Sequence, residues 1–152
     1  MRVYICRMPE DAGTTHPPMP SLERIRQAAA RLGGEIGARL IVLFGSAARA
    51  GEAPRDLDIG ILTDAPFDPV AATNLLIQLL GVQQVDVTDL RRADPLLLAL
   101  AARDGVELFE RAPGAFAAFA SLAARRFADT RKFRDAEREE VQAFARAVRE
   151  CG

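Results

Sequence analysis

The run Leu40-Ile41-Val42-Leu43-Phe44 constrains this chain more than any other stretch. Five apolar residues in a row, bounded by Gly45, read as a fully buried strand, because a strand with one wet face would alternate. Such a strand needs paired neighbours and covering layers. The rest of the chain supplies candidates in order. Ser21 caps a helix predicted to about Leu32, with a stop at Gly33-Gly34. A short helix is predicted to start over Ala47 to Ala50, and Gly51 to Arg55 reads as a loop. Asp56 to Leu62 alternates as a strand, with Asp56 and Asp58 on one face and Leu57, Ile59 and Ile61 on the other. Asp68-Pro69 opens a helix to about Leu80, with Val70, Leu75, Leu76, Leu79 and Leu80 as its apolar set, and Gly81 ends it. Gln83 to Thr88 is a third strand, Asp94-Pro95 opens a helix through Ala102, and Val106 to Phe109 is a fourth strand. The order predicts an α/β (α+β) fold, a small mixed sheet of about four strands covered by helices.

From Pro113 to Arg149 the apolar residues Phe116, Phe119, Ala123, Phe127, Phe133, Val141, Phe144 and Val148 keep helical spacing. One long helix, or two bent near Asp129-Thr130, satisfies the pattern. Unbroken from Pro113 to Glu150, it would span about 57 Å and overhang a small core, which makes it a candidate partner or oligomer surface. A chain of 152 residues, 49% hydrophobic and 27% charged, is the size of one domain. We divide it into a strand and linker segment (1–20), a main domain (21–111) and a C-terminal helical extension packed on it (112–152).

Composition narrows the chemistry. Twenty basic and 21 acidic residues leave a net charge of −1, which disfavours direct nucleic-acid binding. The charged run Arg125 to Glu140 reads first as a solvated face. Two cysteines, Cys6 and Cys151, exclude a disulfide scaffold or four-cysteine zinc site. One histidine, His16, makes histidine-based catalysis a poor expectation. No apolar run reaches the roughly 18 residues of a membrane span, and the first 20 residues lack a signal-peptide core, so the expected location is cytoplasmic.

Three features carry chemistry. Gly45-Ser46 ends the buried strand, where a glycine permits close backbone approach and amides with a hydroxyl suit phosphate; Arg49 can neutralise charge nearby. Asp56 and Asp58, two apart on a strand, project together and can share a divalent cation. Asp86 stands between Val85 and Val87, and converges on the pair if its strand is a neighbour. Each has a plainer alternative: a turn, a solvated sheet face, a structural carboxylate. Arg91-Arg92 suit either a triphosphate or a surface turn. Together the three features suggest metal-assisted phosphoryl or nucleotidyl transfer.

The segment LFGSAARAGEAPRDLDIGIL (Leu43 to Leu62), followed by VDVTDL (Val85 to Leu90), resembles the minimal nucleotidyltransferase family of the DNA polymerase β-like superfamily. PLLLALAARDGVELFER (Pro95 to Arg111) extends the resemblance, which covers about residues 22 to 111. It departs in the loop: Ala50 stands before Gly51, nine residues separate Ser46 from Asp56, and Arg55 replaces a common Ser. The resemblance implies that Gly45 and Ser46 hold nucleotide phosphates, that Arg49 is the family arginine, and that Asp56, Asp58 and Asp86 are the catalytic and Mg²⁺-binding carboxylates. It implies a transferase moving AMP from ATP, or another nucleoside monophosphate, to an acceptor hydroxyl. It also implies a partner, a HEPN-type toxin, for which such chains serve as antitoxins. The alternatives are a binding module that neutralises its partner by complex formation alone, and a nucleotidyltransferase acting on a small molecule.

Overall fold

A computed structural model describes residues 19–49 and 56–150. All but the last two residues of the expected strand and linker segment (1–20), the Gly51–Arg55 loop, His16 and both cysteines lie outside those residues. Helix α1 (Leu22–Ile36) leads into β1 (Ala38–Phe44) and a 3-10 turn (Gly45–Ala48). Then come β2 (Leu57–Thr63), α2 (Pro69–Leu80), β3 (Val85–Asp89), α3 (Pro95–Asp104), β4 (Val106–Glu110), α4 (Ala115–Asp129) and α5 (Arg131–Glu150). The sheet order is β3-β2-β1-β4. Strand β1 is antiparallel to β2 and β4, while β2 and β3 are parallel, so the sheet is mixed.

The apolar run of β1 is as buried as its composition demands: Leu40, Ile41 and Val42 have no exposed surface. Its side chains alternate into two cores. Ile41 and Leu43 join Leu57, Ile59, Ile61 and Val87 beneath α1 and α2. Leu40 and Val42 join Leu90, Leu98, Ala101, Phe119 and Ala123 beneath α3 and α4. The fold is three layers, helices on both faces of one small sheet.

Local chemistry sets the helix starts. Ser21 Oγ accepts from Arg24 N at 3.3 Å, Asp68 Oδ1 from Val70 N at 2.9 Å, and Asp94 Oδ1 from Leu96 N at 2.7 Å. The carboxylate of Glu110, the last residue of β4, accepts from Gly114 N and Phe116 N and so starts α4.

Two expectations shift, and an open one is decided. Helix α1 does not stop at Gly33-Gly34 but runs to Ile36, with Gly37 as its left-handed cap. Gly33 lies against β4, where a Cβ would come within 2.8 Å of the Phe109 ring; the glycine serves helix–sheet contact rather than termination. In α2, Ala72, Leu76 and Leu80 face the core, while Val70 is 67% exposed. The C-terminal region is two helices, broken at Thr130, whose hydroxyl donates back to the carbonyls of Arg126 and Phe127. The guanidinium of Arg134 lies 3.6 Å over the Phe127 ring and ties α5 to α4. The stripe therefore divides: Phe119 and Ala123 are core, whereas Phe133 and Val141 are exposed. Among the described residues no helix is long and apolar enough to cross a membrane.

Candidate active site

The sheet register brings the predicted residues together. Phe44 at the end of β1 pairs with Asp58 of β2, and Asp58 pairs with Asp86 of β3. Residues directly opposite across strands share a face, so Asp58 and Asp86 project from one side of adjacent strands. Asp56 sits just before β2, on a bend rather than within the strand. Leu57 N donates to Gln84 O at 2.9 Å, holding the start of β2 to the segment entering β3.

Gly45 completes the corner. Its φ is +70°, and a Cβ placed there would collide with Asp58 Oδ2. A side chain is thus excluded twice, by the left-handed backbone and by the carboxylate in contact. The turn closes through Arg49 N donating to Ser46 O at 3.2 Å. Ser46 is partly buried on that turn and Arg49 is exposed beside it.

The electrostatics fit a cation site. Burial pushes the Asp58 carboxyl above its ordinary range, and the charges of Asp86 and Asp56 push it further the same way. A divalent cation would offset that repulsion. Among the described residues no group of three or more acidic, histidine or cysteine side chains forms a ready metal cage. Mg²⁺ does not require one, since it keeps waters and binds through one or two carboxylates plus substrate phosphates. Hard oxygen donors around a glycine cradle are the chemistry that such an ion takes.

Arg91 does not point to a triphosphate: its guanidinium grips Asp89, Nη2 to Oδ2 at 2.7 Å, in a surface turn. Arg49 stands where its charge helps to lower the Asp104 carboxyl, after the larger effect of the Arg103 hydrogen bond. It lines a groove of about 330 Å³ with Phe44, Gly45, Asp94, Leu97 and Asp104. Sequence reasoning missed the α3 wall of that groove, although the unbroken apolar string Leu96 to Ala102 was its signal.

The family described as polymerase beta nucleotidyltransferase matches residues 31–113, more than half of the chain. The chain belongs to that family. The matched span contains β1, the Gly45 turn and all three carboxylates.

Solved structures agree on the fold. A mutant form of the toxin–antitoxin MntA–HpeT aligns with a TM-score of 0.68 at 21% identity, covering 77% of this chain and 98% of that one. A toxin–antitoxin with AMP-PNP aligns at 0.68 and 23% identity, again covering 77% and 98%. A tri-AMPylated Shewanella oneidensis HEPN toxin in complex with MNT antitoxin aligns at 0.67 and 22% identity, covering 80% and 99%. No curated protein matches the sequence at a significant level.

Proposed function

We propose that this nucleotidyltransferase-family protein moves AMP from ATP to a hydroxyl on a partner protein, and that the partner is a HEPN-type toxin which it restrains as an antitoxin. The observation that carries the transfer reading is the Asp58–Asp86 pair on adjoining strands, with Gly45 pressed against Asp58. The partner reading draws its support from one solved structure of this fold, a tri-AMPylated HEPN toxin in complex with MNT antitoxin.

Asp56, Asp58 and Asp86 would hold Mg²⁺, whose chemistry there is to neutralise the charge of an in-line phosphoryl displacement. Gly45 leaves the turn open for phosphate oxygens to approach the backbone, and the Ser46 hydroxyl supplies a further donor. Arg49 adds positive charge at the same edge. The acceptor oxygen would bond to the α-phosphorus as the bond to pyrophosphate breaks, and Asp86 would take the hydroxyl proton. Catalysis of this kind is mainly positioning and electrostatics.

Calorimetric titration of Mg²⁺–ATP into the wild type and into Asp56→Asn/Asp58→Asn tests the site. The wild type is expected to bind with metal dependence and the variant to lose binding. Transfer from α-phosphate-labelled ATP to a co-purified partner tests the reaction. A folded wild type that binds no nucleotide in the presence of its partner overturns the proposal in favour of restraint by complex formation alone.

A further inference from the structure

Strand β4 starts at the end of the sheet where β1 finishes, and its approach brings a further carboxylate to the Gly45 turn. The last pair of these antiparallel strands is Leu43 with Val106. Gly105 therefore follows on beside Phe44, and Asp104, the last residue of α3, reaches the turn. The groove of about 330 Å³ at Phe44, Gly45 and Arg49 has Asp104 in its wall. The place is closely built. A Cβ on Gly105 would come within 2.1 Å of Ala101 O and 2.6 Å of Val42 Cγ1, so glycine lets the end of α3 press on β1. Gly105 N donates to Ala101 O at 3.1 Å and closes the helix. Asp104 is thus tied to the strand that carries the turn.

Its surroundings differ from those of the other carboxylates at this edge. Asp58 faces Asp86 and Asp56, whereas Asp104 faces arginines. Arg103 donates to it from Nε at 2.8 Å and from Nη2 at 2.6 Å. Those bonds hold the Asp104 carboxyl below the usual carboxylate range, and the charge of Arg49 adds to the effect. A carboxylate has about four acceptor sites, so Arg103 leaves room for a second guanidinium. One carboxylate between two guanidiniums leaves net positive charge, and the group can still receive phosphate oxygens. Arg49 is exposed on the residue that caps the 3-10 turn. A long exposed side chain loses rotamer freedom when a ligand holds it. A neighbour that holds it beforehand lowers that cost.

We infer that Asp104 is a positioning residue: backed by Arg103, it aims Arg49 at the nucleotide phosphates in the Gly45 groove. The inference rests on the proposed nucleotide role of Arg49 and adds what orients that arginine. Asp104 itself touches no reacting atom.

The sign of one substitution separates positioning from plain charge. A carboxylate beside a triphosphate repels it, so Asp104→Asn would tighten Mg²⁺–ATP binding if charge were its only effect. If Asp104 aims Arg49, the same change weakens binding. The test is calorimetric titration of Mg²⁺–ATP into the full chain as wild type, Arg49→Ala, Asp104→Asn, the double variant and Asp104→Glu, with melting curves to establish folding. Arg49→Ala and Asp104→Asn should each weaken binding about 10-fold. The double variant should bind no more weakly than Arg49→Ala, because Asp104 acts through that arginine. Asp104→Glu keeps the charge and should regain most of the affinity. Asp104→Ser takes the place of Asp104→Asn if the latter does not fold. Unchanged or tighter binding by Asp104→Asn, losses that multiply in the double variant, or an Arg49→Ala that binds like the wild type each overturns the positioning role and leaves the nucleotide site standing. A wild type that binds no Mg²⁺–ATP removes the proposed site and this role together.

Discussion

Strand β2 has a carboxylate towards each end, and the two sit in opposite surroundings. Just beyond Thr63, Asp64 lies between arginines: Arg111 donates to its Oδ2, and Arg39 Nη1 is 3.5 Å from its Oδ1. The Arg111 hydrogen bond holds Asp64 below the usual carboxylate range. At the other end Asp58 faces Asp86 and Asp56, and burial with like charge holds it above that range. One end is electrostatically satisfied and ties β1, β2 and β4 together. The other is left in tension. Groups whose charged form a fold disfavours cluster where function needs them, which is why the proposed reaction is assigned to the tense end.

Breaking the tense end should have the largest effect. Asp58→Asn is expected to lower adenylyl transfer by about 10³-fold, read with α-labelled ATP and the partner. Next is Gly45→Ala, which drives a methyl into Asp58 at a φ of +70°. We expect about 10²-fold slower transfer from the displaced carboxylate and about 1–3 kcal/mol lower stability, measured by denaturant unfolding.

A smaller effect of opposite sign sharpens the contrast. Without metal at neutral pH, Asp58→Asn should raise the melting temperature by about 2 °C, because it removes a charge the fold disfavours. The sign follows from linkage. With a pKa raised on folding, Asp58 costs stability as pH rises from the ordinary carboxylate range through the raised value. The gain from Asn should therefore vanish in acid, and Mg²⁺–ATP should stabilise only the wild type.

The smallest change is expected at the satisfied end. Asp64→Asn should slightly lower the melting temperature at low salt and leave transfer unchanged, since exposed ion pairs are weak and screened. Its pKa is lowered on folding. The stabilisation is present above the unfolded carboxylate value and is lost as pH falls through the lowered one. A melting-temperature difference between wild type and Asp64→Asn that persisted in acid would sever the link to ionisation.

Signals that act within a few residues were legible in the chain itself. Asp68-Pro69 and Asp94-Pro95 start helices because a carboxylate beside the first turn satisfies backbone donors wherever the chain goes. The alternation around Asp58 placed Leu57, Ile59 and Ile61 on the core face, since strand side chains alternate by geometry alone. The apolar run of β1 announced burial on two faces. The types and spacing of Gly45, Asp56, Asp58 and Asp86 suggested their chemistry.

What lay beyond that reach depends on residues far apart in the chain. Gly33 looks like a helix stop until Phe109, from β4, is found against it. Val70 looks like core until α2 turns it outward, and of the two C-terminal forms that the spacing allows, the structure takes the pair broken at Thr130. The position of Asp86 beside Asp58 follows from β3 pairing in parallel with β2, a choice made by packing of the whole sheet. Residue types and their short spacings thus settle which groups can do chemistry, because caps, alternation and charge act over a few bonds. Which groups meet is settled by strand order and helix docking. Those arise from burying two cores at once, and no local stretch contains that information.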